Sequence, residues 1–195
     1  MPDSRLLDVE DSVVIVIDVQ ARFLEKLSAA ESRSLVTRIR WLVQACVWLG
    51  VPLVVTAEDP SRLGGVVDEV ASVLPAGTPV FNKMSFGLAS SPEILAAFER
   101  ARRRTAILVG LETDVCVGQS AIELLERGYR VAVLSDCSGS PPPAHEAGLR
   151  RIELAGAIVL PARSLLYEWL RTVARAAEFA TEVTASIGVP EGVVL

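Results

Sequence analysis

Three side chains of different chemistry stand at or just beyond the ends of short apolar runs in this 195-residue chain. Asp18 closes SVVIVI, Lys83 follows PVFN, and Cys116 lies past AILVGLETDV. If brought together, they make an acyl-transfer nucleophile. The ammonium would lower the thiol pKa, and the carboxylate would accept the thiol proton and later return it to a leaving group. Taken singly, each has an ordinary alternative. Cys116 reads as a packed core thiol, Asp18 as a turn or cap residue, and Lys83 as a solvated charge. The setting of Cys116 is more telling: a strand-to-helix turn supplies backbone N–H groups and a helix dipole that favour a thiolate.

The elements that must hold these residues can be read from apolar patterning. Short continuous apolar runs at 12–17, 51–56, 79–81, 105–109, 130–134 and 157–160 suit strands buried on both faces. Between them lie helical patterns: 29–49 with Gly50 as its stop, 66–74, 91–102 opened by Ser91-Pro92-Glu93, 117–127 stopped by Gly128, a helix from the proline turn 141–143 to about 155, and a closing helix at 164–180. No hairpin signal intervenes. Six alternating strand and helix candidates predict a three-layer, doubly wound α/β sandwich with a mainly parallel sheet. Ligands bind outside the carboxyl ends of such strands, where Asp18, Glu58, Lys83, Cys116 and Asp136 fall. The length fits one domain over 1–195, with a core at about 12–171, a helix and tail at 172–195, and a loose lead-in at 1–11. The apolar end at 193–195 is expected to dock on a neighbour.

Composition excludes several functions. A net charge of −5 with one dense basic run, Arg100 to Arg104 at a helix end, argues against nucleic acid as partner. Three cysteines (Cys46 on the apolar face of a helix, Cys116 and Cys137) form no CxxC pair and no even framework. A reducing, cytoplasmic setting is expected, without membrane or secretory segments. No G-x-G-x-x-G follows the first strand, so a dinucleotide-binding reading is weak. A mean hydropathy of +0.42 suggests buried subunit contacts and a homo-oligomer.

The motifs taken together resemble those of the isochorismatase-like cysteine hydrolases. The resemblance rests on Val16-Ile17-Asp18-Val19-Gln20 with Phe23, on Lys83 with Ser85-Phe86, and on Gly110-Leu111-Glu112-Thr113-Asp114-Val115-Cys116-Val117. Ala121, Leu125, Gly128-Tyr129, Val131, Asp136, Gly139-Ser140 and Leu166-Tyr167-Glu168-Trp169-Leu170 continue it over about 12–171. It implies a Cys116–Asp18–Lys83 triad, a thioester intermediate, an oxyanion hole of the Cys116 and Val115 backbone N–H groups, and a non-proline cis peptide within 110–113.

Departures from the family pattern narrow that expectation. The stretch after the second strand offers Glu58 and Asp59 but no imidazole, and the chain's one histidine, His145, is far downstream and expected at a surface or interface. Metal-dependent nicotinamide hydrolysis is therefore disfavoured, and neither metal nor cofactor is expected. Cys116 itself favours acyl chemistry over vinyl-ether hydrolysis. Met84, Phe86, Leu88 and Val117 are expected to wall a small apolar pocket, with Phe23 beside them and Gln20 and Glu58 giving polar contacts. The expected function is hydrolysis of a small amide or related acyl C–N compound. The competing expectation is a catalytically silent or weakly active small-molecule-binding oligomer.

Overall fold

The computed structural model describes residues 5–185, 188–191 and 193. Its strands are β1 (Ser12–Ile17), β2 (Leu53–Glu58), β3 (Val80–Lys83), β4 (Thr105–Leu111), β5 (Arg130–Gly139) and β6 (Ile158–Leu160). The helices are α1 (Ala21–Leu24), α2 (Ala29–Leu49), α3 (Pro60–Leu63), α4 (Asp68–Ala71), α5 (Pro92–Ala101), α6 (Gly118–Glu126), α7 (Ala144–Leu154), α8 (Ala162–Leu170) and α9 (Val173–Phe179). All strands pair in parallel in the order β3-β2-β1-β4-β5-β6. The order reverses between β1 and β4, so a crevice opens at their carboxyl ends, where a sheet of this kind binds ligands.

Alternation within the strands builds two cores. Val14 and Val16 of β1 face Leu35, Ile39 and Leu42 of α2 and Leu166 and Trp169 of α8. Val13, Ile15 and Ile17 face Ile94 and Phe98 of α5, Leu124 of α6 and Ile152 of α7. Helix α2 has defined ends: Ser28 and Glu31 form a reciprocal capping box, and Gly50 closes it at φ 70°. The basic run closes α5, where Arg103 and Arg104 pair with Glu10 and Asp11 at 3.5 and 3.6 Å, a structural use of the charges. No helix among the described residues is long and apolar enough to cross a membrane.

Four expectations change. Strand β2 runs on to Glu58, which pairs with Lys83 of β3. Strand β5 continues through polar SDCSG to Gly139, because beyond an irregularity Gly110 and Leu111 of β4 pair with Ser138 and Gly139. The closing helix breaks at Arg171, whose φ of 64° separates α8 from α9. The described part of the lead-in is not loose: Leu7 is fully buried, its N–H donates to Glu168 Oε2 at 2.6 Å and its carbonyl accepts from Arg171 at 2.8 Å, while 1–4 lie outside the described residues. Val193 packs into this chain's own core, and 194 and 195 lie outside the described residues.

Candidate active site

Three strand ends and one turn deliver the site. Asp18 follows β1 with φ 50°, a left-handed conformation that short polar side chains tolerate best. Its N–H donates to Thr56 O at 3.2 Å, and Thr56 Oγ1 donates to Asp18 Oδ1 at 2.8 Å. Lys83 ends β3, is fully buried, and places Nζ 2.8 Å from Asp18 Oδ2 and 3.6 Å from Glu58 Oε2. Its ammonium also donates to Ser85 O at 2.7 Å and Phe86 O at 3.2 Å, which folds the following loop around it. Thr56 was not anticipated; its one signal in the sequence is a hydroxyl closing an apolar strand beside that of Asp18.

Cys116 lies in a π-helical turn, Thr113–Val117, that leads into α6. Several contacts fix this turn. Thr113 Oγ1 and His145 Nδ1 are 2.9 Å apart, and Ser140 Oγ donates to Asp114 Oδ1 at 2.6 Å. Ser120 Oγ donates to Cys116 O at 2.6 Å, and Gly148 of α7 leaves no room for a Cβ against Asp114. His145 is thus half-buried support for the turn. A non-proline cis peptide joins Leu111 to Glu112, within the stretch where the resemblance implies one. The Cys116 thiol donates to Glu58 Oε2 at 3.4 Å. Ligand-type atoms of Asp18, Glu58 and Cys116 lie within 4.8 Å of one another, and the cation among them is the Lys83 ammonium.

The other expected contacts separate. Gln20 is fully buried and spends both ends of its amide on the backbone of Glu58 and Gly64, leaving it no contact for a ligand. Phe23, Leu88 and Val117 are packed into the cores. The Met84 and Phe86 side chains instead point outward, 72% and 53% exposed, so they do not wall a closed pocket. Val115 N–H donates to Glu112 O at 3.2 Å and is thereby engaged, which removes it from the expected oxyanion hole. The hollows elsewhere, such as one of about 230 Å³ lined by Arg38, Asp136 and His145, lie away from this cluster. Convergence of side chains, not hollow size, marks the site.

Electrostatics also bear on the thiol. Burial raises the Cys116 thiol to about 12, outweighing the lowering by Lys83 and reinforced by the Asp18 and Glu58 charges. Burial thus works against the thiolate that the Lys83 charge favours. Burial likewise raises Asp18 against the opposing pull of Lys83. For Lys83, burial works downward, but the facing carboxylates carry it above the usual lysine value. A folded pKa above the unfolded value gives stability that is present below the unfolded pKa and lost as pH rises. With the unfolded thiol near 9.0 and the folded one about 12, Cys116 alone is expected to remove about 2 kcal/mol by pH 10.5. Cys46, Cys137 and Lys83 shift in the same sense. Urea unfolding at pH 8 and 10.5 checks this; equal midpoints would contradict it.

Comparison with known proteins bears on the family and the fold. The family model described as the isochorismatase domain matches residues 12–164. A secreted isochorismatase effector of Phytophthora sojae is 34% identical over 161 residues, covering 80% of this chain and 76% of that protein. The structure of the MAR1 ribonuclease from Caenorhabditis elegans superposes with a TM-score of 0.83 at 26% identity, covering 97% of this chain and 98% of the other. The YcaC gene product of Escherichia coli, an octameric hydrolase of unknown specificity, has a TM-score of 0.83 at 21% identity, covering 95% and 94%.

Proposed function

The chain belongs to the isochorismatase family, and from that premise we propose that it is a cofactor-independent cysteine hydrolase of small amides or related acyl C–N compounds. The observation that carries this reading is the Cys116 thiol beside a buried ammonium that two carboxylates share. As substrate enters, the thiol proton passes to those carboxylates while Sγ attacks the carbonyl carbon. The Lys83 ammonium supplies the positive charge that the forming sulfur anion lacks in a desolvated site. The Cys116 N–H, at the turn into α6, faces the oxyanion. Expulsion of the amine leaves a thioester, which water hydrolyses.

The site selects small substrates. Asp18 and Lys83 are fully buried and Cys116 is 1% exposed, whereas the Glu58 side chain is 19% exposed and stands at the entrance. A carboxylate there, on a protein of net charge −5, disfavours phosphodiesters, so the ribonuclease name of one structural relative is not carried over. Self-association belongs to the same reading. Edge strand β3 and the loop after it expose Val80, Met84 and Phe86, and one structural relative is octameric. Three buried, unpaired thiols suit a reducing compartment. The test is a panel of small primary amides and ureido compounds, scored for ammonia, with Cys116→Ser as control. Turnover by the wild type alone is expected; a blank across the panel favours the silent binding oligomer.

A further inference from the structure

We propose that the preferred substrates are cationic at the reacting carbon: small amidines and guanidines, the nitrogen analogues of amides and ureas, held by the Glu58 carboxylate. This rests on the hydrolase reading above and names the substrate class of that site. Among the described residues, the Lys83 ammonium is the one cation that pairs with either site carboxylate, 2.8 Å from Asp18 Oδ2 and 3.6 Å from Glu58 Oε2. Arg62 of α3 pairs instead with Asp59 at 4.0 Å, and Lys26, after α1, with Glu112 at 2.9 Å. Two carboxylates thus face one cation, and the site carries a surplus negative charge.

The two carboxylates are not equivalent. Asp18 is fully buried and occupied: it pairs with Lys83, accepts from Thr56 Oγ1 at 2.8 Å, and accepts from the Cys116 thiol. In the triad it is the group that takes the thiol proton. Glu58 carries the surplus. Its Oε2 lies 3.4 Å from Cys116 Sγ, its Oε1 has no partner among the described residues, and the side chain is half-buried at the entrance. Pairing with Lys83 of β3 and two bonds between its backbone and the Gln20 amide hold it there. A neutral amide filling this mouth would strip water from an uncompensated carboxylate, which costs free energy. An amidinium supplies the missing charge. Its two parallel N–H groups also match the two carboxylate oxygens, and such charge-assisted bonds are about twice as strong as neutral ones. Because Oε2 and Sγ are neighbours, a fork held on Glu58 sets its carbon beside the sulfur.

Water is the one co-reactant the step needs. The S–H proton passes to Asp18 as the S–C bond forms, and the C=N π pair goes to nitrogen. That proton moves on to one nitrogen of the adduct, the C–N bond breaks, and ammonia leaves a thioimidate that keeps the positive charge. Water then adds to its carbon and gives a proton to Asp18. The C–S bond breaks, sulfur takes that proton back, and the remaining excess proton goes to the ammonia. An amidine yields an amide and ammonium; a guanidine yields a urea and ammonium. Lys83 remains charged throughout.

Competition for Cys116 tests the proposal, with acetamidine, acetamide and acetate as probes. Each is scored by how far it slows alkylation of Cys116 by iodoacetamide at pH 7.5; the first two are also scored for ammonia, with Cys116→Ser as blank. Acetamidine is expected to protect at about tenfold lower concentration than acetamide and to release ammonia, and acetate to protect least. In Glu58→Gln, with protection referred to that variant's own unprotected rate, the advantage of acetamidine is expected to shrink to about twofold or less. Glu58→Asp, which keeps the charge one methylene further back, is expected to keep part of it. Acetamide protecting as well as acetamidine, an advantage that persists in Glu58→Gln, or protection by acetamidine without ammonia release overturns the proposal. The hydrolase reading then survives if 4-nitrophenyl acetate still acylates wild-type Cys116. A wild type that neither releases ammonia from acetamidine nor is acylated by that ester overturns both.

Discussion

Lys83→Met is expected to lose about 3–5 kcal/mol of folding free energy and to acylate Cys116 about 10²–10³-fold more slowly than wild type. Methionine fills nearly the same volume, so the loss is electrostatic. Asp18 would remain fully buried with only uncharged side-chain partners, the Thr56 hydroxyl and the Cys116 thiol, and Ser85 O and Phe86 O would lose their donor. Without Lys83 the burial that already raises Asp18 meets only the weaker opposition of hydrogen bonds from Thr56 and Cys116. A carboxyl raised in the folded state stabilises the fold below its unfolded value of about 3.9 and withdraws that support as pH rises through the folded value. The variant's deficit should therefore be smallest near pH 4 and grow toward neutrality. Adding Asp18→Asn removes the orphaned charge, so the double variant should recover much of the stability and none of the acylation. Denaturant titrations of both variants at pH 4 and 7 check this. A double variant no more stable than Lys83→Met would show that the ion pair is not the origin of the loss.

Gly110→Ala is expected to cost about 4 kcal/mol or more, a fall in melting temperature of about 8–16 °C. Gly110 lies opposite Ile17 in the β1–β4 ladder with φ 118°, and a Cβ there would lie 1.9 Å from the Ile17 carbonyl oxygen. That carbonyl belongs to the residue before Asp18 and cannot swing aside as a flexible side-chain tip would. The substitution would push the two strand ends apart, separating Asp18 from the Cys116 turn. Gly128→Ala is the matched comparison: φ is 82° but nothing lies within 4 Å, so only the left-handed conformation is penalised, at about 1–2 kcal/mol. Calorimetry of the pair should show a clear gap. Equal losses would mean that close approach of β1 and β4 does not matter.

The layout of the fold was legible because buried parallel strands appear as apolar runs, and these runs ended at the charges that form the site. Helix α2 was legible to the residue, since a capping box and a left-handed glycine mark its ends locally. What escaped the sequence is what distant partners decide. Strand β5 continues through SDCSG because β4 supplies its ladder bonds, not because those residues favour strands. Glu58 looked like a loop carboxylate until its pairing with Lys83 extended β2 and turned it toward the thiol. Gln20 looked like a ligand contact, yet its partners lie 38 and 44 residues away and saturate it. The engagement of Val115 N–H is an i→i−3 bond to Glu112 O where the chain turns out of β4, which has no sequence signal. For Cys116 the lowering by Lys83 was readable and is present, but burial acts the other way and more strongly. The lysine was visible in the sequence, but the depth of burial that outweighs it was not.

The central claim is that Cys116 is an acyl-accepting nucleophile, and intact-mass analysis after acid quenching of a 4-nitrophenyl acetate reaction tests it most directly. The account predicts one acetyl group on the wild type, mapped to Cys116 by peptide digestion and lost again as acetate is released. It predicts no such label at that position in Cys116→Ser. Wild-type protein that releases nitrophenolate while Cys116 stays unmodified, or that carries acetyl only on other residues, would contradict it.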